Sequence, residues 1–380
     1  MAEQRILITG GAGFIGSRTV QQLMQHSCAA APVAIWVLDN LHPQVHGAAA
    51  TSPEFPKGVT FVKGDVCDRR LITELLATAR PNVIIHMAAE TGTGQSMDEI
   101  YRYCQINVMG TAVLLEAIAQ VSAQIDGPVN GPVNEPNKLP LERFILMSSR
   151  AVYGEGAYWD TTHRQTVVPP PRSVEDLKAG RFDPIVPGAR LRAVPTSETM
   201  PPAPSSIYAS TKLMQEHLVQ QAGAIAPWQA TIFRFQNVYG PGQSLKNPYT
   251  GVLSIFSRQI LAGKTLNIYE DGQIGRDFVF IEDVVNALVL ACNANIPHGS
   301  IINIGSGKTT TILEAAKTLL RLYGKPTDAY QITGDFRAGD IRHAVADIQL
   351  AQQLLNWQPN VSVEDGLSKL AAWCEECVLT

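Results

Sequence analysis

No stretch of this sequence stays apolar for anything near the roughly 20 residues that a bilayer-spanning helix needs. A membrane-embedded protein is therefore not expected. An excess of basic charge is missing too. The 30 Lys and Arg stand against 34 Asp and Glu, a net charge of −4, which gives no global attraction to nucleic acid or anionic membrane. No secretory leader is read either, because "MAEQRILITGG" runs straight into a strand and a glycine turn. Cysteine is sparse. The six residues Cys28, Cys67, Cys104, Cys292, Cys374 and Cys377 are scattered, as suits a reducing cytoplasm. Only Cys374 and Cys377 form C-x-x-C, and with no second Cys or His pair nearby no metal site is expected.

What is present reads as a globular α/β chain. Apolar residues make up 45% and charged residues 17%, and 380 residues suffice for one large or two modest domains. "RILITGG" leads into a helix through residue 25, and "VAIWVLDN", "VTFVKGD", "NVIIHMAA" and "RFILMSS" read as further strands. Helical patterns fall between them, at "LITELLATAR" and over about 99–121. Continuous apolar strands in this rhythm predict a parallel sheet covered on both faces. Two stretches interrupt it: a short duplicated loop at 123–141, "GPVNGPVNEPNKLP", and a Pro-, Arg- and Asp-rich segment at 155–204 without sustained periodicity. So long a connection predicts a flap or lid. Then come helices over 207–223 and 251–262, strands at "ATIFRF" and "LNIYE", a strand-to-helix run "FVFIEDVVNALVLACN", the strand "SIINIGSG" and a mostly helical C-terminal part.

The first turn is the best-defined chemical feature. In "ILITGGAGFIGS", Gly10, Gly11, Gly13 and Gly16 stand between a strand and a helix. Glycines there let the backbone turn tightly and approach a pyrophosphate seated on the helix N-terminus. Asp39, ending the second strand, can accept hydrogen bonds from ribose hydroxyls and would repel a 2′-phosphate. No arginine follows in "NLHPQVHG", so NAD is favoured over NADP. Asp65, after the third strand, is placed either for the adenine or as a turn residue. Phe14, Ile15, Asn40, Val66, Ala88 and Ala89 complete the expected cofactor set. A second glycine turn, "NIGSGKTT" at 303–310, resembles a phosphate loop but has Ile302 where that motif needs glycine, and no ATP site is expected.

Tyr208 and Lys212 in "SSIYASTKLMQEHL" are four apart and share one helical face. A lysine beside a phenol favours the phenolate, which can take a proton from a sugar hydroxyl while the carbon gives up a hydride. Ser149 can hydrogen-bond the same oxygen. Ser149, Tyr208 and Lys212 are the expected catalytic set, with Tyr208 and Lys212 also facing the cofactor.

With these residues in place, the chain resembles the extended short-chain dehydrogenase/reductases of the NAD-dependent nucleotide-sugar epimerase/dehydratase family, over nearly its whole length. The likeness rests on "TGGAGFIGS", "LDN", "GDVCD", "HMAAE", "INVMGT", "SSRAVYG", "YASTK", "FRFQNVYGPG", "GRDFVFIEDV", "NIGSGK" and "RAGDIRHAVAD", in that order. It implies a Rossmann doubly wound parallel sheet for NAD over 1–241 with 278–304, carrying the 155–204 insertion. It also implies a smaller C-terminal α/β substrate domain over 242–277 with 305–380, and a homodimer built through a helix bundle. The family's dehydratases follow the serine or threonine with Asp-Glu, and this chain has Arg150 and Ala151. Neither does carboxylate work. What remains is the equipment of a 4-epimerase, with a 4-ketoreductase using the same residues as the alternative.

By the same resemblance the substrate is a nucleoside-diphosphate sugar. Arg276 and Arg337 are its diphosphate clamps, and Asn237 and Asp340 further contacts. Glu90, Thr91 and Thr93 line the sugar end or, alternatively, cap the following helix. Ser149 and Arg150 complete the substrate set. His86 is expected to be structural, and Asn107 to prop the active-site backbone. "AAETGTGQSM" and "SSRAVYGEG" look most like the subgroup containing dTDP-L-rhamnose 4-epimerases, which points to a dTDP-6-deoxyhexose.

Overall fold

The computed structural model of the chain describes residues 3–26, 32–47, 53–125, 139–245, 247, 251–337 and 339–379. Cys28 and most of the duplicated loop at 123–141 lie outside them. β1 (Gln4–Thr9) runs through the glycine turn into α1 (Phe14–Gln25). Next come β2 (Val33–Asp39), the single turn α2 (Pro43–His46), β3 (Val59–Lys63), α3 (Arg69–Ala79) and β4 (Val83–His86). The helix expected over 99–121 forms, but in pieces. α4 (Thr93–Asp98) and α5 (Ile100–Tyr103) precede a π-helical turn at Cys104–Met109, and α6 (Gly110–Ile125) continues from it. β5 (Arg143–Ser149) ends in a 3-10 turn at Arg150–Tyr153.

The segment expected as an irregular flap is partly ordered as structure. β6 (Tyr158–Asp160), β7 (Gln165–Val167) and, after α7 (Val174–Lys178), β8 (Leu191–Ala193) form a small antiparallel sheet in the order β7-β6-β8. Strands of three residues are too short to leave an alternating signature in sequence. The chain then forms α8 (Ile207–Ala224), β9 (Gln229–Phe235), β10 (Asn237–Tyr239), α9 (Val252–Leu261), β11 (Leu266–Ile268) and β12 (Gly275–Arg276). It closes with β13 (Phe278–Phe280), α10 (Ile281–Ala291), β14 (Ser300–Ile304), β15 (Thr310–Thr311), α11 (Ile312–Leu322), β16 (Tyr330–Ile332), α12 (Gln349–Leu355) and α13 (Val363–Leu379).

Seven strands pair in the order β14-β9-β5-β4-β1-β2-β3, parallel throughout. This is the doubly wound arrangement the sequence predicts. Alternation along β1 explains the two covered faces. Ile6 and Ile8 join a core with Val20 of α1, Leu288 of α10 and Leu355 of α12, while Leu7 joins another with Leu76 of α3, Leu114 of α6 and Val219 of α8. A third core, of Phe256, Leu266, Leu319 and Leu370, sits among α9, β11, α11 and α13.

Among the described residues one helical stretch, Ile100–Ala123, is long and apolar enough to cross a membrane by length and composition, with mean hydropathy 1.4. No uninterrupted run betrays it in sequence, because Arg102 and Glu116 break it. Here 44% of it is buried, with α6 packed against α3 and α8, as in the core helix of a globular fold.

Candidate active site

The carboxyl ends of β1, β2, β4 and β5 open onto one cleft of about 420 Å³, at the point where the strand order reverses beside β1. Every residue of the expected cofactor set lines it, from Gly10, Gly13, Phe14, Ile15 and Gly16 through Asp39, Asn40, Asp65, Val66, Ala88 and Ala89 to Tyr208 and Lys212. Gly10 has φ +69°, and a Cβ there would lie 2.8 Å from the Ala88 nitrogen. A Cβ on Gly16 would meet the Gly10 carbonyl oxygen at 2.5 Å. Glycine is therefore required where the turn passes β4 and where α1 packs on the turn. Gly13 caps α1 without a side-chain hydrogen bond, which leaves the first N–H groups of the helix for a ligand.

Asp39 is fixed before any ligand binds. Its Oδ2 accepts from the Ala12 N–H at 3.0 Å and its Oδ1 from the Leu41 N–H at 2.9 Å, with His46 Nε2 at 3.6 Å. Asn40 Nδ2 donates to Asp65 Oδ2 at 3.2 Å, so two residues of the expected cofactor set are joined. The look-alike turn at 303–310 is closed to phosphate. The Asp277 carboxylate accepts from the N–H groups of Ser306 and Gly307 and from Ser306 Oγ, occupying the place an anion would take.

At the other end of the cleft, Ser149 and Tyr208 line the same space, and the Ser149 hydroxyl accepts from the Ala151 N–H at 3.2 Å. The start of α8 is set by Ser206, whose Oγ accepts from the Ala209 N–H, and by the Tyr208 N–H donating to Ser96 Oγ at 3.0 Å. Asn107, in the π-helical turn, accepts from the Glu90 N–H and donates to the Glu90 carbonyl and to Thr211 Oγ1. It thus ties the loop after β4 to the helix carrying Tyr208. His86 is buried between Thr9 Oγ1 at 2.7 Å and Thr111 Oγ1 at 2.9 Å and does not line the cleft.

The electrostatics differ from the sequence expectation in one respect. Lys212 Nζ donates to the Met147 carbonyl at 2.9 Å, and burial brings its pKa down to about 7 against the opposing charge of Glu216. Burial also pushes the Tyr208 phenol up. The groups that pull it back are Ser149, by its hydrogen bond, and the Arg150 guanidinium, by its charge; Lys212 is not among them. Lys212 spends one of its three N–H donors on the sheet backbone and lines the cleft beside Tyr208 with the rest.

Arg150 lies within electrostatic reach of Tyr208, Arg276, Asp340 and Glu155, and burial and the like charge of Arg276 bring it down to about 10. Arg276 is buried, donating Nη2 to Asp340 Oδ1 at 2.6 Å and Nη1 to the Gly275 carbonyl at 2.9 Å. Burial pushes the Asp340 carboxyl up, but Arg276 and Arg150 more than offset this and hold it below the usual range. Asn237 lines the cleft with a buried Oδ1 that has no hydrogen-bond partner. Glu90 and Thr91 line it too, and the Glu90 carboxylate is held by Arg102 at 2.7 Å.

Five expected contacts are not among the residues that line the cleft: Arg150, Arg276 and Asp340 lie together beside its reactive end, and two fall elsewhere. Thr93 begins α4 outside the cleft, its carbonyl accepting from Ser96 Oγ. Arg337 is exposed outside the cleft, with its guanidinium 5.3 Å from the centre of the Tyr269 ring. Sequence reasoning also missed residues. His42, Gln44, Gln243 and Asn247 line the cleft, and only their nearness to "LDN" and "NVYG" could have flagged them.

A profile of the NAD dependent epimerase/dehydratase family matches residues 6–175 and 186–305, and the chain belongs to that family. The chain is 39% identical to a dTDP-L-rhamnose 4-epimerase of Burkholderia thailandensis, over 97% of this chain and 94% of that one. It is 31% identical to a UDP-glucose 4-epimerase of Mycolicibacterium smegmatis, over 96% of both. A UDP-glucuronic acid 4-epimerase of Bacillus cereus, solved with UDP-glucuronic acid and NAD, superposes with a TM-score of 0.76 at 26% identity, covering 99% of this chain and all of that one. The chain is an NAD-dependent nucleotide-sugar epimerase of the extended short-chain dehydrogenase/reductase type.

Proposed function

We propose that the chain inverts C4 of a nucleoside-diphosphate sugar, a dTDP-6-deoxyhexose, by oxidising that carbon and reducing it again from the other face. The observation that carries this reading is that Ser149, Tyr208 and Lys212 line the same end of the cleft as the cofactor residues, with Ser149 acting on the Tyr208 phenol, in a loop whose next residues are Arg150 and Ala151. NAD held on the glycine turn and Asp39 supplies the hydride acceptor and donor. Tyr208 takes the proton from the C4 hydroxyl and Ser149 shares it; both give it back after the sugar has turned over. Lys212 steadies the strand end through the Met147 carbonyl. No carboxylate stands at 150 or 151 to remove water or carbon dioxide, so the sugar leaves with the atoms it brought.

Arg276 and Arg150 offer the diphosphate two cations beside the reactive end, with Asp340 steadying Arg276. Asn237 Oδ1, buried and unpartnered, suits a sugar hydroxyl. The substrate sits between the sheet unit, 1–241 with 278–304, and the smaller unit, 242–277 with 305–380. The exposed apolar residues Met97, Ile100, Tyr101, Met109 and Met214, on α4, α5, the π-helical turn and α8, suit a homodimer joined through these helices. The five cysteines among the described residues are free, which suits a reducing cytoplasm.

The test supplies dTDP-, UDP- and GDP-sugars without reductant and follows products by mass and proton NMR. Unchanged mass with inverted C4 coupling is the expected outcome. A gain of two hydrogens, and only when reduced cofactor is added to a 4-keto sugar, would overturn it in favour of a ketoreductase. Tyr208→Phe is expected to lose about 10²–10⁴-fold in turnover while the unfolding midpoint holds. Arg150→Gln removes a charge that favours the phenolate. The acid limb of its pH–rate profile therefore moves to higher pH, and Arg150→Lys restores it in part.

A further inference from the structure

The cleft is crossed by side chains that none of these roles uses. Gln44 and Gln95 form a reciprocal amide pair, Gln44 Nε2 donating to Gln95 Oε1 at 2.9 Å and Gln95 Nε2 to Gln44 Oε1 at 3.1 Å. Gln44 Nε2 also reaches Asn247 Oδ1 at 3.3 Å, and Arg102 Nη2 reaches Gln44 Oε1 at 3.4 Å. Gln44 belongs to the turn after β2, Gln95 to the helix after β4, and Asn247 to the segment between β10 and α9. Two segments that line the cleft therefore meet the helix behind them on one amide, and Gln44 and Asn247 face the same space as Gly10 and Gly13.

The anchor side of this junction is stiff. Gln95 is buried and donates to Glu99 Oε1 at 2.8 Å, and Arg102 is held by Glu90 and Glu99 at 2.7 Å each. Gln44 is half-buried on a four-residue turn, and is the end that can let go.

We infer that Gln44 is a cofactor-retaining residue: with Gln95 and Asn247 it straps the dinucleotide cleft between Asp39 and Tyr208 and must release before NAD can leave. This rests on the NAD reading of the cleft and goes beyond it. A reaction that returns a hydride to the sugar it came from fails whenever the reduced cofactor departs between its halves. A ketoreductase, by contrast, must exchange cofactor at every turnover. A strap of this kind suits the first and hinders the second.

The test measures dinucleotide release from NAD-loaded protein, by gel filtration and by displacement with excess unlabelled NAD. Three polar bonds of ordinary strength predict that Gln44→Ala releases NAD at least about tenfold faster than the unaltered protein, with an unchanged far-ultraviolet circular dichroism spectrum. Gln95→Leu, a second variant, should do the same, and the double variant should release no faster than the faster single. Retention by Gln44→Ala as long as by the unaltered protein overturns the strap alone. A double variant whose effect is the product of the two singles also overturns it, since two independent contacts are not one strap. Unaltered protein that neither carries nor takes up NAD overturns the cofactor reading and the strap with it.

Discussion

Val83, Ile84 and Ile85 lie at the centre of the sheet, at most 2% exposed, and touch apolar side chains on both faces. Glu155, Arg172, Glu270 and Arg342 are buried almost as completely where the 155–204 segment meets the loop after β11 and the segment before α12, and every one is an ionisable side chain. Arg172 reaches Glu155 at 3.3 Å and Glu270 at 2.9 Å, while Arg342 reaches Glu270 at 3.1 Å and continues outward to Asp271 and Asp183. The Arg342 N–H donates to Glu155 at 2.9 Å. The first region is close-packed apolar surface, which tolerates the loss of a methyl. The second balances a large desolvation cost against Coulomb attraction, and is unforgiving of a missing partner. The same network backs the Arg276–Asp340 pair, through the Arg172 Nη2 bond to the Asp340 carbonyl at 2.9 Å. Burial pushes the Glu155 carboxyl up even with these partners beside it, so it is the member closest to losing its charge.

The sharpest way to break this comparison is to remove one charge. Arg342→Met strands Glu270 with a single partner and leaves Asp271 and Asp183 without theirs. It should cost about 3–5 kcal/mol in denaturant unfolding. Ile85→Val, in the sheet, should cost about 0.5–1.5 kcal/mol. An Arg342→Met variant no less stable than Ile85→Val would show that water reaches the junction. Because Asp340 is backed by this network, Arg342→Met should also raise KM more than it lowers kcat.

The sheet has one titrating exception of its own. His86 is held neutral between two threonines, and burial, with a smaller push from the Lys212 charge, brings its pKa down to about 3. The unfolded chain takes up a proton there near pH 6.5, and the folded chain only near 3. Stability present above pH 6.5 is therefore lost progressively as the pH falls, at about 1.4 kcal/mol per pH unit. Between pH 7 and pH 5 this group alone should remove about 2 kcal/mol. His86→Gln should flatten the loss by that amount in urea unfolding at the two pH values. An unchanged slope would mean that His86 titrates in the fold as it does in the open chain.

The two regions also differ in how far sequence announces them. Strands buried on both faces read as unbroken apolar runs, and the glycine turn sits where a helix must start, so β1, β4, β5 and the cofactor cradle are legible from local pattern. Tyr208 and Lys212 are legible for the same reason, since four residues on a helix fix a shared face. The charged junction is not. Arg172 and Glu270 are separated by 98 residues, and nothing local distinguishes them from surface ions. Gln44, Gln95 and Asn247 are hidden likewise, as amides that matter only where three loops meet. Arg337, marked as a clamp by its motif position, has its guanidinium 5.3 Å from the centre of the Tyr269 ring and, like Arg276, is not among the residues that line the cleft. Lys212 is the subtlest case: the right residue on the right face, with one of its three N–H donors given to the Met147 carbonyl.

If burial rather than charge makes the junction sensitive, the same chemistry at the surface should be nearly silent. Arg321 of α11 and Glu364 of α13 provide the control. Their side chains meet at 2.7 Å, closer than Arg172 and Glu155, yet they are 56% and 66% exposed. In water the Coulomb gain is small and holding two long side chains together costs entropy. Arg321→Ala should therefore change stability by less than about 1 kcal/mol, and whatever change appears should fade in high salt. Arg342→Met should keep in the same salt the part of its cost that comes from Glu270, because counterions do not enter a pair that water does not reach. It should lose the part that comes from Asp271 and Asp183, which are 42% and 78% exposed. Equal salt sensitivity in both variants would place the junction among surface ion pairs, and its hold on Arg276 and Asp340 would then rest on backbone hydrogen bonds alone.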